Sequence, residues 1–283
     1  MQPRFERPAS VAQATRLLEA RPWAVLAGGT DLYPAHVGRP IALPVLDIGG
    51  IAELRGIRRE GASWTIGATT TWSDVARAEL PPLFAALQAA AREVGGVQIQ
   101  NTGTVAGNLC NASPAADGTP ALLAMRARVV LQSAHGLREL AVDEFVLGNR
   151  RTARADDELV VAVRIPAWSE RAHSAFAKLG GRRYLTIAVT AVAVVVDADP
   201  DGTVRAAGVA VGSCAPAARR LPALEARLVG ARRDGDLAAL VADADLAPLA
   251  PIDDVRGSAA YRVDATRTLL RRALGEIAQA AQR

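Results

Sequence analysis

Gln98-Ile99-Gln100-Asn101-Thr102-Gly103-Thr104-Val105-Ala106-Gly107-Asn108-Leu109-Cys110-Asn111-Ala112-Ser113-Pro114-Ala115-Ala116-Asp117-Gly118-Thr119-Pro120-Ala121-Leu122-Leu123-Ala124-Met125 is a run crowded with glycine, alanine, serine, threonine and asparagine. Such residues are poor core material, because each buries little apolar surface. The run therefore reads as a long loop, and long ordered loops in compact chains are mostly functional. Its glycines open backbone conformations closed to other residues and leave room for a close neighbour. Asp117 ahead of Gly118-Thr119-Pro120 marks a helix start with Pro120 in the first turn, and Asp117 is available as its cap. Upstream lies a second small-residue run, Val25-Leu26-Ala27-Gly28-Gly29-Thr30-Asp31-Leu32. An apolar strand over 24–27 enters two glycines and then a helix-capping Thr or Asp. Backbone N–H groups in such a turn can converge on a phosphate. The spacing is neither Gly-x-Gly-x-x-Gly nor the phosphate loop of nucleotide hydrolases.

Outward from these runs, the pattern is mixed. Ser10 caps a helix reaching Ala20, and 44–48 reads as a strand, making a small βαβ-like unit with a short helix over 31–37. Residues 55–59 and 63–68 form a hairpin, Ser73 caps a helix to Ala78, and 83–94 is a helix stopped by Gly95-Gly96. A second hairpin pairs 128–132 with 138–142, and 159–165 is a strand closed by Pro166. Beyond a boundary near 167–174, strands over 186–197 and 204–211 flank the turn Asp199-Pro200-Asp201-Gly202. Helices are expected over 221–228, 236–243 and 258–281. The fold class is α+β, with helices and strands segregated by region.

Composition excludes several functions. In 283 residues, 50% hydrophobic and 22% charged content is ordinary for a globular chain. The net charge of +4 comes from 33 basic and 29 acidic residues that are interspersed, so no nucleic-acid partner is expected. Cys110 and Cys214 stand far apart, which excludes a disulfide scaffold and an iron–sulfur cluster carried by this chain alone. Both are expected as small buried thiols. His36, His135 and His173 have no ligand spacing, so no metal is assigned. The start, Met1-Gln2-Pro3-Arg4-Phe5, lacks the apolar run of an export signal, and the apolar stretch 187–196 is half a membrane span. A cytoplasmic protein is expected.

Ala27-Gly28-Gly29-Thr30-Asp31 and Thr104-Val105-Ala106-Gly107-Asn108, followed by Ser113-Pro114-Ala115-Ala116-Asp117, resemble the FAD-binding medium subunit of the molybdenum hydroxylases. That family includes the medium subunits of carbon monoxide dehydrogenase and bacterial xanthine dehydrogenase. The resemblance extends over nearly the whole chain, through Ile66-Gly67-Ala68-Thr69-Thr70, Asp157-Glu158-Leu159, Ile165-Pro166, Phe176-Ala177-Lys178 and Gly257-Ser258-Ala259-Ala260-Tyr261-Arg262. It implies a two-subdomain FAD-binding fold of the vanillyl-alcohol oxidase (PCMH) type over 1–170, with subdomains of about 1–53 and 54–170. A smaller α+β domain of the CO dehydrogenase flavoprotein type follows over 171–283.

The resemblance also implies which residues hold FAD. Val25, Leu26, Ala27, Gly28, Gly29, Thr30, Asp31 and Leu32 line it, with Gly28, Gly29 and Thr30 at the pyrophosphate. Backbone amides there donate to a dianion without bulky side chains. Thr104, Val105, Ala106, Gly107 and Asn108 form the second FAD segment, with Ala106 where the family has glycine. Asp117 accepts hydrogen bonds from ribityl or ribose hydroxyls. Val160 and Lys178 match later FAD-lining positions. Lys178, the chain's one lysine, beside the ring would favour an anionic reduced flavin by Coulomb attraction. Arg182, Arg183 and Tyr184 follow toward the flavin's outer face. Gln100 replaces an arginine usual in the family.

No nucleophile, general base or metal set emerges; if the chain is an enzyme component, a cofactor carries the chemistry. The resemblance implies a flavoprotein subunit of an oxidoreductase. A molybdopterin centre on a large subunit hydroxylates the substrate, and two [2Fe–2S] clusters on a small subunit pass electrons to FAD. From FAD they go to NAD+, oxygen or a quinone-type acceptor. The expected assembly is a dimer of heterotrimers. Thr30-Asp31, in place of the His-Ser frequent in carbon monoxide dehydrogenases, leans toward N-heterocycle or aldehyde substrates. The alternatives are a self-contained FAD oxidase or dehydrogenase of the vanillyl-alcohol oxidase type, and an assembly subunit that has lost FAD.

Overall fold

The computed structural model describes residues 5–281. Residues 1–4, read above for an export signal, and residues 282–283 lie outside the described residues. The chain opens with strand β1 (Phe5–Glu6), helix α1 (Val11–Ala20), and strands β2 (Ala24–Leu26) and β3 (Val45–Asp47). Ser10 caps α1 by accepting from the Gln13 amide at 3.3 Å. The three strands form a parallel sheet in the order β1-β3-β2. Parallel neighbours need a crossover, and the one from β2 to β3 carries the first glycine turn. The helix expected over 31–37 is only a 3₁₀ turn, Pro34–His36.

A second sheet, antiparallel and in the order β4-β5-β10-β6-β7, holds the middle of the chain. Its strands β4 (Ile57–Glu60) and β5 (Ser63–Gly67) lead into helices α2 (Trp72–Arg77), α3 (Ala85–Glu93), α4 (Val97–Thr102), α5 (Val105–Asn111) and α6 (Gly118–Ala124). Strands β6 (Arg128–Ser133) and β7 (Gly136–Ala141), helix α7 (Val142–Phe145), the small hairpin β8 (Val146–Gly148) and β9 (Arg151–Thr152), and strand β10 (Leu159–Ile165) complete it.

Two expectations change here. The cap of α2 is Thr71, in a reciprocal capping box with Asp74. Ser73 lies inside the helix and donates to Asn101 Oδ1 at 2.6 Å, tying α2 to α4. The stretch 98–125 is not a long loop but three short helices. Thr104 caps α5 by accepting from the Gly107 amide at 3.0 Å, and Ala112 ends it in the left-handed conformation at φ 47°. Every residue of α6 is buried. Its small residues serve the interior after all, because they let the helix lie flush on a sheet.

That sheet is the third, in the order β11-β12-β13-β14. It comprises β11 (His173–Gly180), β12 (Ala188–Ala198), β13 (Val204–Gly212) and β14 (Arg219–Arg220), followed by helices α8 (Pro222–Leu228) and α9 (Ala259–Ala281). β12 is buried at every position, which explains its unbroken apolar run. Ala193, Val195 and Ala210 join the core shared with the preceding sheet, while Val192, Val194, Val196, Val209 and Val211 pack with Leu224, Leu228, Leu270 and Leu274 of α8 and α9. A Cβ on Gly208 would lie 1.9 Å from the Ala124 carbonyl oxygen, and one on Gly212 2.7 Å from Pro120 Cγ. Glycine at these two positions sets how closely α6 approaches. The helix expected over 236–243 is instead two 3₁₀ turns, Leu237–Leu240 and Asp243–Leu246.

Candidate functional site

The two small-residue runs meet. A Cβ on Gly28 would stand 1.9 Å from the Thr102 carbonyl oxygen, so the first glycine turn rests directly on the end of α4. Gly29 sits at φ 70°, a conformation that favours glycine. Backbone bonds fix the other side: Trp72 N donates to Gly103 O at 3.1 Å and Val105 N to Thr70 O at 3.0 Å. Between the turn, the segment 103–111, the end of α3 and the β9–β10 region lies a cavity of about 610 Å³. That size suits a small-molecule or cofactor site.

Most of the expected residues line this cavity: Val25, Ala27, Gly28, Gly29, Thr30, Asp31, Leu32, Thr104, Ala106, Gly107, Asn108 and Val160. Leu26 and Val105 do not. Their side chains alternate away into the interior, 7% and 0% exposed. Asp117 and Lys178 also stand off the wall and pair with each other. Lys178 Nζ donates to Asp117 Oδ2 at 2.9 Å and to the Glu93 carbonyl at 3.3 Å. Burial pushes the Asp117 carboxyl up to about 6, against the opposing pull of Lys178 and with Glu93 adding to the rise. Asp117 makes no side-chain cap bond to α6. Arg182 donates to the Tyr184 and Leu185 carbonyls of its own turn, and Arg183 to the Tyr184 hydroxyl. None of these three residues reaches the cavity wall.

Cys110, expected as buried packing, is exposed and lines the cavity, whereas Cys214 is buried. Its position near the end of α5 turns Cys110 outward. The wall also includes residues that local sequence did not single out: Trp72, Val94, Ile99, Asn111, Arg150, Arg154 and Glu158. The Thr71-x-x-Asp74 capping box could have located Trp72. Ile99 and Asn111 fall within the 98–125 run and Glu158 within Asp157-Glu158-Leu159, whereas Val94, Arg150 and Arg154 carry no local signal.

Charge in the wall is organised. Arg138 donates through Nη2 to Glu158 Oε2 at 2.8 Å, and the Ala155 amide donates to the same oxygen at 2.7 Å. This Arg138 pairing holds the Glu158 carboxyl below its ordinary range, overcoming burial. Arg154 Nη1 donates to the Ala155 and Glu158 carbonyls, each at 2.8 Å. Asn111 Nδ2 donates to Asp31 Oδ1 at 2.9 Å, and Arg150 Nη1 donates to Asn111 Oδ1. Asn108 Oδ1 is buried without a partner, an acceptor waiting for a ligand donor. No group of His, Cys, Asp and Glu among the described residues could hold a metal ion. No helix among them is long and apolar enough to cross a membrane.

Comparison with known proteins agrees with the geometry. Residues 1–168 match the family described as the FAD binding domain in molybdopterin dehydrogenase, and 174–277 match the CO dehydrogenase flavoprotein C-terminal domain. The chain is 34% identical to the carbon monoxide dehydrogenase medium chain of Hydrogenophaga pseudoflava, over 96% of each. It is 30% identical to the xanthine dehydrogenase FAD-binding subunit of Escherichia coli O157:H7, over 98% of this chain and 96% of the relative. The solved Hydrogenophaga pseudoflava carbon monoxide dehydrogenase, described as lacking the Mo-pyranopterin moiety of its cofactor, superposes with a TM-score of 0.86. That match has 32% identity and covers 99% of this chain and 98% of the other. FAD is accordingly the cofactor of this chain, and its work is that of an oxidoreductase component. The chain belongs to the FAD-binding medium-subunit family of the molybdenum hydroxylases.

Proposed function

We propose that this chain carries FAD in the cavity between its glycine turn and α5, and relays electrons from [2Fe–2S] clusters on a small subunit to a final acceptor. The acceptor is NAD+, oxygen or a quinone-type compound. A large molybdopterin subunit performs the hydroxylation, and the complex is a dimer of heterotrimers in the cytoplasm. FAD, when bound, accepts electrons singly and releases them in pairs. The chain's own residues bind and orient it. Amides of Gly28, Gly29 and Thr30 donate to the pyrophosphate, Asn108 Oδ1 accepts from a cofactor hydroxyl, and Trp72 walls the site against α6. The functional division follows 1–170 and 171–283, with the second part closing the far side through the Lys178–Asp117 pair.

The observation that carries this reading is the convergence of two side-chain-poor turns on one cavity, with a buried unpartnered acceptor in its wall. A self-contained oxidase would need substrate-activating groups beside the cavity. Its acidic wall residues are instead committed: Glu158 to Arg138 and Asp31 to Asn111. The test is to purify the tagged chain from its native host and record absorption and metal content. Flavin, iron–sulfur absorption and molybdenum together are expected. Flavin alone at full occupancy, with oxidase activity, would overturn the relay in favour of the oxidase reading.

A further inference from the structure

Neither arginine in the cavity wall, Arg150 or Arg154, has a carboxylate partner among the described residues. Arg154 spends its Nη1 on backbone carbonyls, and Glu158 in the same wall is matched by Arg138. Arg150 differs. Among the described residues its guanidinium donates only to the Asn111 amide oxygen, and Asn111 turns its own amide N–H to Asp31 beside the glycine turn. Asn111 thus stands between Asp31 and Arg150, so the carboxylate does not draw the guanidinium to itself. The backbone at this point is equally specific. Arg150 sits at φ 58°, in the left-handed region that most side chains avoid. Its amide donates at 3.0 Å to the carbonyl of Ala112, which is itself left-handed at φ 47°. Two strained residues, one ending α5 and one in the β8–β9 turn, lock together, and the outcome is a guanidinium aimed at the cavity. Strain of this kind persists where surrounding structure over-determines it, and clusters at ligand sites.

We infer that Arg150 is the cation that pairs with the pyrophosphate of FAD, adding charge compensation that the neutral amides of the glycine turn do not supply. The inference rests on the reading that FAD occupies this cavity. Asn111 is the positioning residue: it holds the guanidinium within reach of the turn at Asp31 and leaves the remaining N–H donors free for a phosphate oxygen. A charge-assisted contact of this type strengthens with low ionic strength and weakens as salt screens it.

The test uses the full chain with the partners that copurify, deflavinated and titrated with FAD by flavin fluorescence at low and high salt. Three variants separate side chain from backbone. Arg150→Gly relieves the left-handed strain, so the apoprotein keeps or gains melting temperature. Its FAD affinity nevertheless falls by roughly ten- to a hundredfold, with a flatter salt dependence. Arg150→Gln loses affinity in the same way, and Arg150→Lys recovers part of both affinity and salt dependence. Unchanged FAD affinity in Arg150→Gly overturns the assignment. So does an equal loss in Gly, Gln and Lys variants with wild-type salt dependence, which would make Arg150 a brace for the hairpin. Failure of the wild-type protein to rebind FAD would instead overturn the placement of the cofactor, and with it the premise.

Discussion

Replacing Lys178 by methionine should destabilise the protein at alkaline pH and hardly at all in mild acid. Lys178 and Asp117 are 5% and 12% exposed at the side chain and lie 2.9 Å apart. Burial has raised the Asp117 carboxyl from 3.8 to about 6 even with this cation beside it. A carboxyl raised on folding contributes stability that is complete below 3.8 and is lost as pH climbs through 6. In the wild type that loss stops near pH 6, after about 2.2 units or ~3 kcal/mol, because the ionised form is then tolerated. Without Lys178 the carboxylate has no cation, and Asp117 stays protonated to higher pH. The loss then continues above pH 6, at no more than ~1.4 kcal/mol per pH unit. The variant should therefore match wild type near pH 5 and fall behind by at most ~3 kcal/mol at pH 8. Urea unfolding of the deflavinated chain at both pH values measures this. The double variant Lys178→Met, Asp117→Asn removes the titrating group and should recover most of the alkaline loss. Equal destabilisation at pH 5 and pH 8, or a double variant no better than the single one, would refute the reasoning.

Lys178→Met removes a cation that Asp117 only partly offsets, and should lower the FAD midpoint by some tens of millivolts, as redox titration of the complex would show; a midpoint within error of wild type would put the pair too far from the ring to act on it. FAD should stabilise the deflavinated protein by roughly 4 kcal/mol at a thousandfold excess over its dissociation constant, and acid precipitation should release it intact into the supernatant; an unmoved melting curve would count against the cavity. Gly28→Ala places a Cβ 1.9 Å from the Thr102 carbonyl oxygen, so it should cost about 1–3 kcal/mol of stability as well as flavin, seen by thermal melting of the apoprotein. Gly107→Val intrudes on Thr104 Oγ1, 2.7 Å from the Cβ position, and should abolish flavin binding together with the α5 cap. Cys110→Ala, a small change on an exposed wall position, should retain flavin on gel filtration.

Local chemistry made much of this protein legible in its residues. Ser10 ahead of α1, Gly95-Gly96 after α3, and the Asp199–Gly202 turn between β12 and β13 are decided within a few residues by caps and turn conformations, and they stand where the sequence places them. The order of the two glycine-containing runs pointed to the family, because two side-chain-poor runs at that spacing leave the backbone open to a close neighbour.

Tertiary structure decided what depends on distant partners. Only packing shows that 118–124 is a buried helix laid on β13, since small residues signal a loop or a close helix–sheet contact equally well until Gly208 and Gly212 are brought beneath it. Lys178 and Asp117 looked like separate cofactor contacts in the chain. Sixty-one positions apart, they become one buried pair when β11 and the start of α6 meet, so each faces the other's charge. Arg150 had no signal of its own, because its significance lies in Asn111, Asp31 and Ala112, contributed by other elements. A side chain's type is written in the sequence, but the charge it faces is set by whichever residues the fold places opposite it.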